Sequence, residues 1–395
     1  MLFLHVPKTG GASLTGVLGN RFAAGDCLEL YTGPEPDLGD LDRLRYVSGH
    51  MDVSFIDRFA RAPFLVTVLR DPIDRALSTY AYARSFPLDY EVPAVPLLGR
   101  SPDAARLARD WWRLAREFQL DELIARAPQV AQQFLGNRQA RALSAREPGE
   151  ETVPDALEGL ERCDFVGLTG RLDESVDWLA RRLGWQEVGP LARTNVTGVH
   201  LRRDQITAAT TEALARLTEV DRELYRRGAA RYERQVEEWA MLRDPRDPTV
   251  TLPDASPVGD LRFDQPIPGG GWLGREQADD RTCFCWIGDT RRAWVDVAVP
   301  RRSSTLTIEM PHVVSPEILE GLRISVDGRD VHHAITEAGG VPVATAPLPR
   351  RLLGARRRRL SIEVERSIHP REVNPQSVDH RELALAVRRV SIRAA

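Results

Sequence analysis

The spacing of apolar residues changes character once along this chain, near Asp244, and that change limits the folds open to it. Before it, short continuous apolar runs alternate with segments of helical period, and after it the period is two. In the first stretch Phe3–Val6 reads as a short buried strand, Pro7–Ala12 as a loop, and Ser13 onward, with Leu14, Val17 and Leu18, as an amphipathic helix. Phe64–Leu69 repeats the pattern as a continuous apolar strand. It is followed by Arg70, then Asp71-Pro72 as N-cap and first helical residue, then a helix through about Arg84. Two such units imply a parallel sheet flanked by helices. Between Arg100 and Arg146 the spacing is helical, with Trp111, Trp112, Leu114, Phe118 and Leu123 as core. Phe165–Leu168 reads as another buried strand, Glu174–Leu183 as a helix, and Thr207–Trp239 as a long helical stretch.

Asp244-Pro-Arg-Asp-Pro and Leu252-Pro-Asp-Ala-Ser-Pro257 make a proline-rich connector that neither a helix nor a central strand tolerates. Beyond it Ala293–Val299, Thr305–Met310, Leu322–Val326, Leu360–Val364 and Leu383–Ile392 alternate between Gly, Pro and Asp turns, the pattern of an antiparallel β-sandwich. The expected organisation is a P-loop-like α/β domain over 1–243, a linker over 244–257 and a β-sandwich accessory domain over 258–395. The basic run Arg356–Arg359 reads as a solvated sheet edge rather than an anion patch. With 54 basic against 57 acidic side chains the net charge is −3, which argues against a chain that coats nucleic acid or an anionic membrane. Any anion site is therefore local. The 4 cysteines form no framework and no zinc spacing, which reads as a reducing, cytoplasmic setting, and Met1–Val6 is too short for a signal peptide or membrane span.

Two loops carry the chemistry. Pro7-Lys8-Thr9-Gly10-Gly11-Ala12-Ser13 lies between strand and helix, where glycines let backbone N–H groups turn inward and a helix N-terminus favours negative charge. Lys8 is the single lysine among the 54 basic residues. The lysine precedes the glycines, so the loop is not a Walker A sequence. Arg70 ends its strand, where ligands gather in open α/β sheets, and Ser78 follows on the second turn of the next helix. An arginine fork and a hydroxyl there suit a second phosphate. Tryptophans 272, 286 and 294 are either sandwich core or platforms for sugar rings.

Phe3–Ser13 resembles the 5′-phosphosulfate loop of sulfotransferases that use 3′-phosphoadenosine 5′-phosphosulfate (PAPS), and Val68–Tyr80 resembles their 3′-phosphate motif. Tyr46-Val-Ser-Gly-His50-Met-Asp-Val-Ser-Phe-Ile-Asp57 is similar to the segment carrying the base histidine in the branch that contains heparan sulfate 2-O-sulfotransferase. Phe165–Glu174 and His200-Leu-Arg202 resemble later landmarks of that branch. The resemblance covers roughly residues 1–240, and Tyr90–Glu150 has no clear counterpart, so acceptor specificity is not carried across. Gly270–Glu276, Cys285-Trp286 and Asp379–Ala384 resemble a β-sandwich module appended to some bacterial glycan-modifying transferases.

The resemblance implies transfer of a sulfuryl group to an acceptor hydroxyl by in-line displacement, with carbohydrate the favoured acceptor. His50 would be the base and Lys8 the cation at the bridging oxygen. Thr9, Gly10, Gly11, Ala12 and Ser13 would hold the 5′-phosphosulfate, and Arg70 and Ser78 the 3′-phosphate, with Arg202 a further candidate. This arrangement requires no metal. No nucleic acid or transmembrane segment is expected, and oligomeric state is left open. Two rival readings stand beside it: a nucleotide-dependent phosphotransferase, and a glycan-binding protein whose nucleotide site has decayed.

Overall fold

The computed structural model describes residues 1–31, 41–86, 102–185, 187–191, 201–247, 259–355, 357–377 and 379–394. His200, Arg356 and residues 248–257 of the connector lie outside them. The chain forms a mixed α/β fold in two compact units. The first comprises Met1–Gly11, Leu28–Leu179 and Thr197–Pro245, and the second Ala12–Cys27, Ala180–Val196 and Arg246–Ala395.

The first unit is built on a five-stranded sheet. Its strands are β1 (Leu2–Leu4), β2 (Cys27–Leu30), β3 (Tyr46–Gly49), β4 (Leu65–Leu69) and β5 (Phe165–Leu168), in the order β2-β3-β1-β4-β5. β1 pairs in parallel with β3 and β4, and β4 with β5. Every residue of β4 is buried, as expected for a strand covered on both faces. Helix α2 (Pro72–Arg84), which follows β4 after helix α1 (Gly11–Gly19) earlier in the chain, starts where Asp71 and Pro72 predict. The Asp71 carboxylate accepts from the N–H groups of Ile73 and Asp74 at 3.0 and 3.1 Å. Helices α3 (Pro102–Glu117), α4 (Leu120–Arg126), α5 (Pro128–Phe134), α6 (Arg138–Ser144) and α7 (Val153–Glu161) follow, then α8 (Leu172–Leu183) after β5.

Trp111 and Leu123 are core residues, and the Trp111 ring stacks on Phe134 with centroids 5.0 Å apart. The helical stretch Thr207–Trp239 is two helices, α9 (Ala208–Leu217) and α10 (Glu219–Ala240). The buried Thr218 hydroxyl donates to the Leu214 carbonyl between them. Beneath α2, fully buried Arg75 donates to the carbonyls of Phe134 and Leu135. It lies 3.9 Å from Asp221, whose carboxylate also accepts from the N–H groups of Gln139 and Ala140. A buried charge survives only with such partners, and these fix α6 against α10.

The second unit is antiparallel. One sheet contains β7 (Gly269–Gly270), β10 (Arg292–Val297), β12 (Arg323–Val326), β13 (Arg329–Asp330) and β16 (Arg358–Glu363). The other contains β6 (Asp260–Arg262), β11 (Ser304–Glu309), β14 (Ala334–Ala338), β15 (Val341–Pro347) and β18 (Arg389–Ala394). Val295, Leu360 and Ile362 from one sheet, and Leu306, Ile308 and Val390 from the other, share a single core in a sandwich-like arrangement. A small sheet of β8 (Glu276–Gln277), β9 (Cys283–Trp286) and β17 (Ala386–Val387) completes the unit.

Two expectations are corrected here. The alternating run Leu383–Ile392 is not one strand, because β17 and β18 belong to different sheets. Arg358 and Arg359 do not sit on an edge, since β16 lies between β12 and β10. Arg358 pairs with Asp327, Arg357 with Asp296, and Arg359 with Glu187 and Asp296. Trp272 and Trp294 are buried, and Trp272 donates its indole N–H to the Trp294 carbonyl at 3.0 Å. The half-exposed Trp286 stacks on His312.

Segment Ala12–Cys27 packs within this unit. Asn20 donates to the Leu273 carbonyl at 3.1 Å, Arg275 donates to the Phe22 carbonyl at 3.0 Å, and Phe22 meets Trp185 edge-on. Gly16 lies so near Gly274 that a Cβ on it would stand 2.7 Å from the Gly274 nitrogen. Among the described residues no helix is long and apolar enough to cross a membrane.

Candidate functional site

The carboxyl ends of the five parallel strands bring most of the sequence-derived residues to one edge of the sheet, where open α/β sheets place ligands. β1 runs into His5 and the loop Pro7–Gly11, β2 into Tyr31, β3 into His50, β4 into Arg70 and β5 into Thr169. The His5 N–H donates to the Gly49 carbonyl at 3.0 Å and the His50 N–H to the Leu30 carbonyl at 3.2 Å. These bonds lock the ends of β1, β2 and β3 together.

The loop turns through Lys8 and Gly10, whose φ angles are 67° and 84°. A lysine in the left-handed region carries a backbone cost of order 1–3 kcal/mol, which the surroundings must offset. They do so through neighbouring strand ends. Arg70 donates from Nη1 to the Lys8 carbonyl at 3.0 Å, and the Thr169 hydroxyl lies 2.5 Å from the Thr9 carbonyl and 3.2 Å from that of Leu69. Thr9 itself is fully buried, its hydroxyl donating to the Val6 carbonyl at 2.9 Å, so only its backbone faces the loop interior. Among the described residues the N–H groups of Gly10 and Gly11 meet no backbone acceptor. A Cβ on Gly10 would stand 3.0 Å from the Leu172 side chain, and one on Gly11 would stand 2.1 Å from the His5 ring. Gly11 is thus dictated by close approach, and Gly10 by its positive φ.

Lys8 and Arg70 put two cations side by side. Burial lowers the Lys8 ammonium from its ordinary value to about 8, with the Arg70 charge as second cause, while Lys8 Nζ stands 4.0 Å over the Tyr82 ring. Burial lowers Arg70 as well, opposed by the Asp74 carboxylate. The Arg70 backbone is clamped by Gln139, whose amide accepts from the Arg70 N–H at 2.8 Å and donates to its carbonyl at 2.9 Å. Ser78 is half-buried on the second turn of α2.

His50 is an exposed residue at the end of β3, and its ring packs against those of His5 and Tyr31 with centroids 4.9 and 5.0 Å away. That crowding, and after it the Arg138 cation, lowers its pKa to about 4. His50 is therefore a neutral imidazole at neutral pH, the form a base requires.

Arg202 is not joined to these groups. It is exposed and paired with Asp204, and its neighbour Arg203 reaches Asp71 and Asp74 instead. Ala12 and Ser13 belong to the second unit, as the start of α1. Three residues beyond those found in the sequence matter here: Gln139, Thr169 and Arg138. Arg138 opens α6, with the Asp221 and Glu151 carboxylates within electrostatic reach. Burial, and then the charges of Arg141 and Arg75, lower it to about 9. Thr169 lies in the Phe165–Glu174 segment already singled out, but nothing in the sequence marks Gln139 or Arg138 as neighbours of Arg70 and His50.

No family model matches the chain, and no curated protein matches it. Among solved structures it is similar to a family 35 carbohydrate-binding module from Clostridium thermocellum. The identity is 12% and the TM-score 0.20, over 31% of this chain and 87% of that one. It is also similar to a family GH115 4-O-methyl-α-glucuronidase with specificity for decorated arabinogalactans. There the identity is 9% and the TM-score 0.23, over 74% of this chain and 41% of that one. The fold described above rests on its own strand order and pairing.

Proposed function

We propose that the chain is a PAPS-dependent O-sulfotransferase with a P-loop-like first unit, acting on a hydroxyl-bearing acceptor, with carbohydrate the favoured class. The observation that carries the reading is the direct bond from Arg70 to the Lys8 carbonyl, with neutral His50 at a nearby strand end. The two loops whose sequences resemble the 5′-phosphosulfate and 3′-phosphate motifs are thereby parts of one cluster. A donor with anionic groups at both the 3′ and 5′ positions of its ribose suits two adjacent cations better than a single phosphate does.

In this reading the acceptor oxygen forms a bond to sulfur as the bond from sulfur to the bridging oxygen breaks. Adenosine 3′,5′-bisphosphate departs, and the acceptor's proton passes to His50. Lys8 stabilises charge on the departing oxygen as a point charge, the backbone of Thr9–Gly11 holds the 5′ end, and Arg70 with Ser78 holds the 3′-phosphate. The test is calorimetric titration with adenosine 3′,5′-bisphosphate, against adenosine 5′-monophosphate and Mg²⁺-ATP. Preference for the bisphosphate, lost in Arg70→Ala, is the expected result. Preference for Mg²⁺-ATP would replace the reading with a phosphotransferase, and sugar binding without nucleotide binding would replace it with a glycan-binding protein.

A further inference from the structure

The proposed chemistry leaves His5 unused, yet its surroundings are unlike those of an ordinary core histidine. It is 7% exposed and its Nδ1 has no hydrogen-bond partner. Its ring closes a triangle with the rings of Tyr31 and His50, whose centroids lie 5.3 and 4.9 Å from it and 5.0 Å from each other. On its other sides it stacks on Phe3 at 5.5 Å, and its Cδ2–Nε2 edge presses against Gly11. A phenylalanine would fill this space without burying an unpaired nitrogen, so the histidine costs stability that packing does not recover.

We propose that His5 is a positioning residue for His50: a neutral imidazole wedged between Gly11 and the His50 ring, fixing that ring at the strand end and tying it to the loop that carries Lys8. The inference rests on the reading of His50 as the base. With its proton on Nε2, His5 keeps Nδ1 as a buried acceptor on the very ring that touches His50. The titratable and charged groups facing the pair are Tyr31 from the end of β2, Arg138 from α6 and Lys8 from the loop. Burial holds His5 well below the ordinary imidazole value, helped by the charges of His50 and Lys8. Both rings are therefore neutral imidazoles at neutral pH.

Two variants test this in the full chain. His5→Phe keeps the ring and removes both nitrogens, while His5→Gln keeps a polar group and removes the ring. Thermal unfolding, calorimetric affinity for adenosine 3′,5′-bisphosphate, NMR titration of the His50 ring and steady-state turnover are read for each. The expected result is a folded His5→Phe protein with bisphosphate affinity within about twofold of the parent. Its kcat should be roughly 10- to 100-fold lower with little change in acceptor KM, the scale of a misplaced catalytic group. His50 should titrate at lower pH, because an apolar neighbour solvates an imidazolium less well. Should His5→Phe fail to fold, His5→Gln is expected to show the same loss of kcat at unchanged bisphosphate affinity. Parental kcat and parental His50 titration in either folded variant would make His5 a core residue and overturn the proposal. If the parent protein shows no sulfotransfer, the NMR titration still decides: a shifted His50 supports the positioning role while the proposed activity falls, and an unshifted one removes both.

Discussion

His50 and Lys8 must hold opposite protonation states for the proposed chemistry, and their surroundings set the window in which they do. The base works as the neutral imidazole, so its contribution is present above a pKa of about 4 and is lost as pH falls through it. The cation works protonated, so its contribution is present below about 8 and is lost as pH rises through it. For the free enzyme kcat/KM should therefore trace a bell with limbs near those values. In the kcat profile the alkaline limb should move upward, because a bound anion favours the ammonium. A flat profile across pH 7–10 would exclude Lys8 from the step. Lys8→Ala should lower turnover by about 10²–10³, the scale of a lost transition-state charge contact, with little change in thermal stability. Arg138→Ala should raise the His50 pKa toward the ordinary imidazole value, since the Arg138 cation is one of the two causes of its depression. NMR titration of His50 reads this without needing an acceptor.

At the scale of elements, the site depends on how α6 is held, because α6 delivers Arg138 and the Gln139 clamp on Arg70. It packs on α7 where Gly159 has no side chain, and a Cβ there would stand 1.7 Å from the Leu143 carbonyl. Backbone cannot yield as a side chain does. Gly159→Ala should thus destabilise the protein by about 1–3 kcal/mol or more, seen as a lowered Tm, and should weaken bisphosphate binding through Arg70. The elements most legible in the sequence were those with local grammar: the apolar run of β4, the Asp71-Pro72 start of α2, and the alternating strands of the sandwich. Local grammar also set the limits. The helical period runs through Thr218 without marking the break there, since one buried hydroxyl bonded to Leu214 ends α9 without disturbing the spacing. The arginines of β16 looked like a solvated edge because carboxylates distant in sequence, Asp296 and Asp327, neutralise them only once the sheets form. Of the candidate site, the loop, Arg70 and His50 were readable. Gln139 and Arg138 were not, because their place comes from the packing of α6 and not from any motif.

At the scale of the whole molecule, the change of period near Asp244 correctly announced an α/β part and an antiparallel part, but the compact units are not contiguous stretches of chain. Ala12–Cys27 and Ala180–Val196 are counted with Arg246–Ala395. The reason lies in long-range polar and steric contacts that apolar periodicity does not encode. The Leu273 carbonyl is satisfied by Asn20, Arg275 donates to the Phe22 carbonyl, and the Ile267 N–H donates to the Asn20 carbonyl at 2.8 Å. Trp185 packs on Phe22, and Gly16 lies against Gly274. A fragment of residues 246–395 retains the sandwich core yet leaves the Leu273 carbonyl and the Ile267 N–H without these partners, while Arg275 keeps the carbonyls of Phe263 and Gln265; each buried polar group so orphaned costs about 1–3 kcal/mol. With native stabilities of about 5–15 kcal/mol, two such losses together with the lost Phe22 and Trp185 packing remove a large share of what holds the unit folded. The fragment should therefore unfold at a temperature at least about 10 °C below the corresponding transition of the full chain, or fail to show a cooperative transition, in circular dichroism. Addition of a synthetic peptide spanning residues 12–27 should raise that temperature by mass action. A fragment as stable as the full chain would mean that the contacts of Asn20 and Phe22 contribute nothing, and that the antiparallel unit is complete without the segment that follows the Lys8 loop.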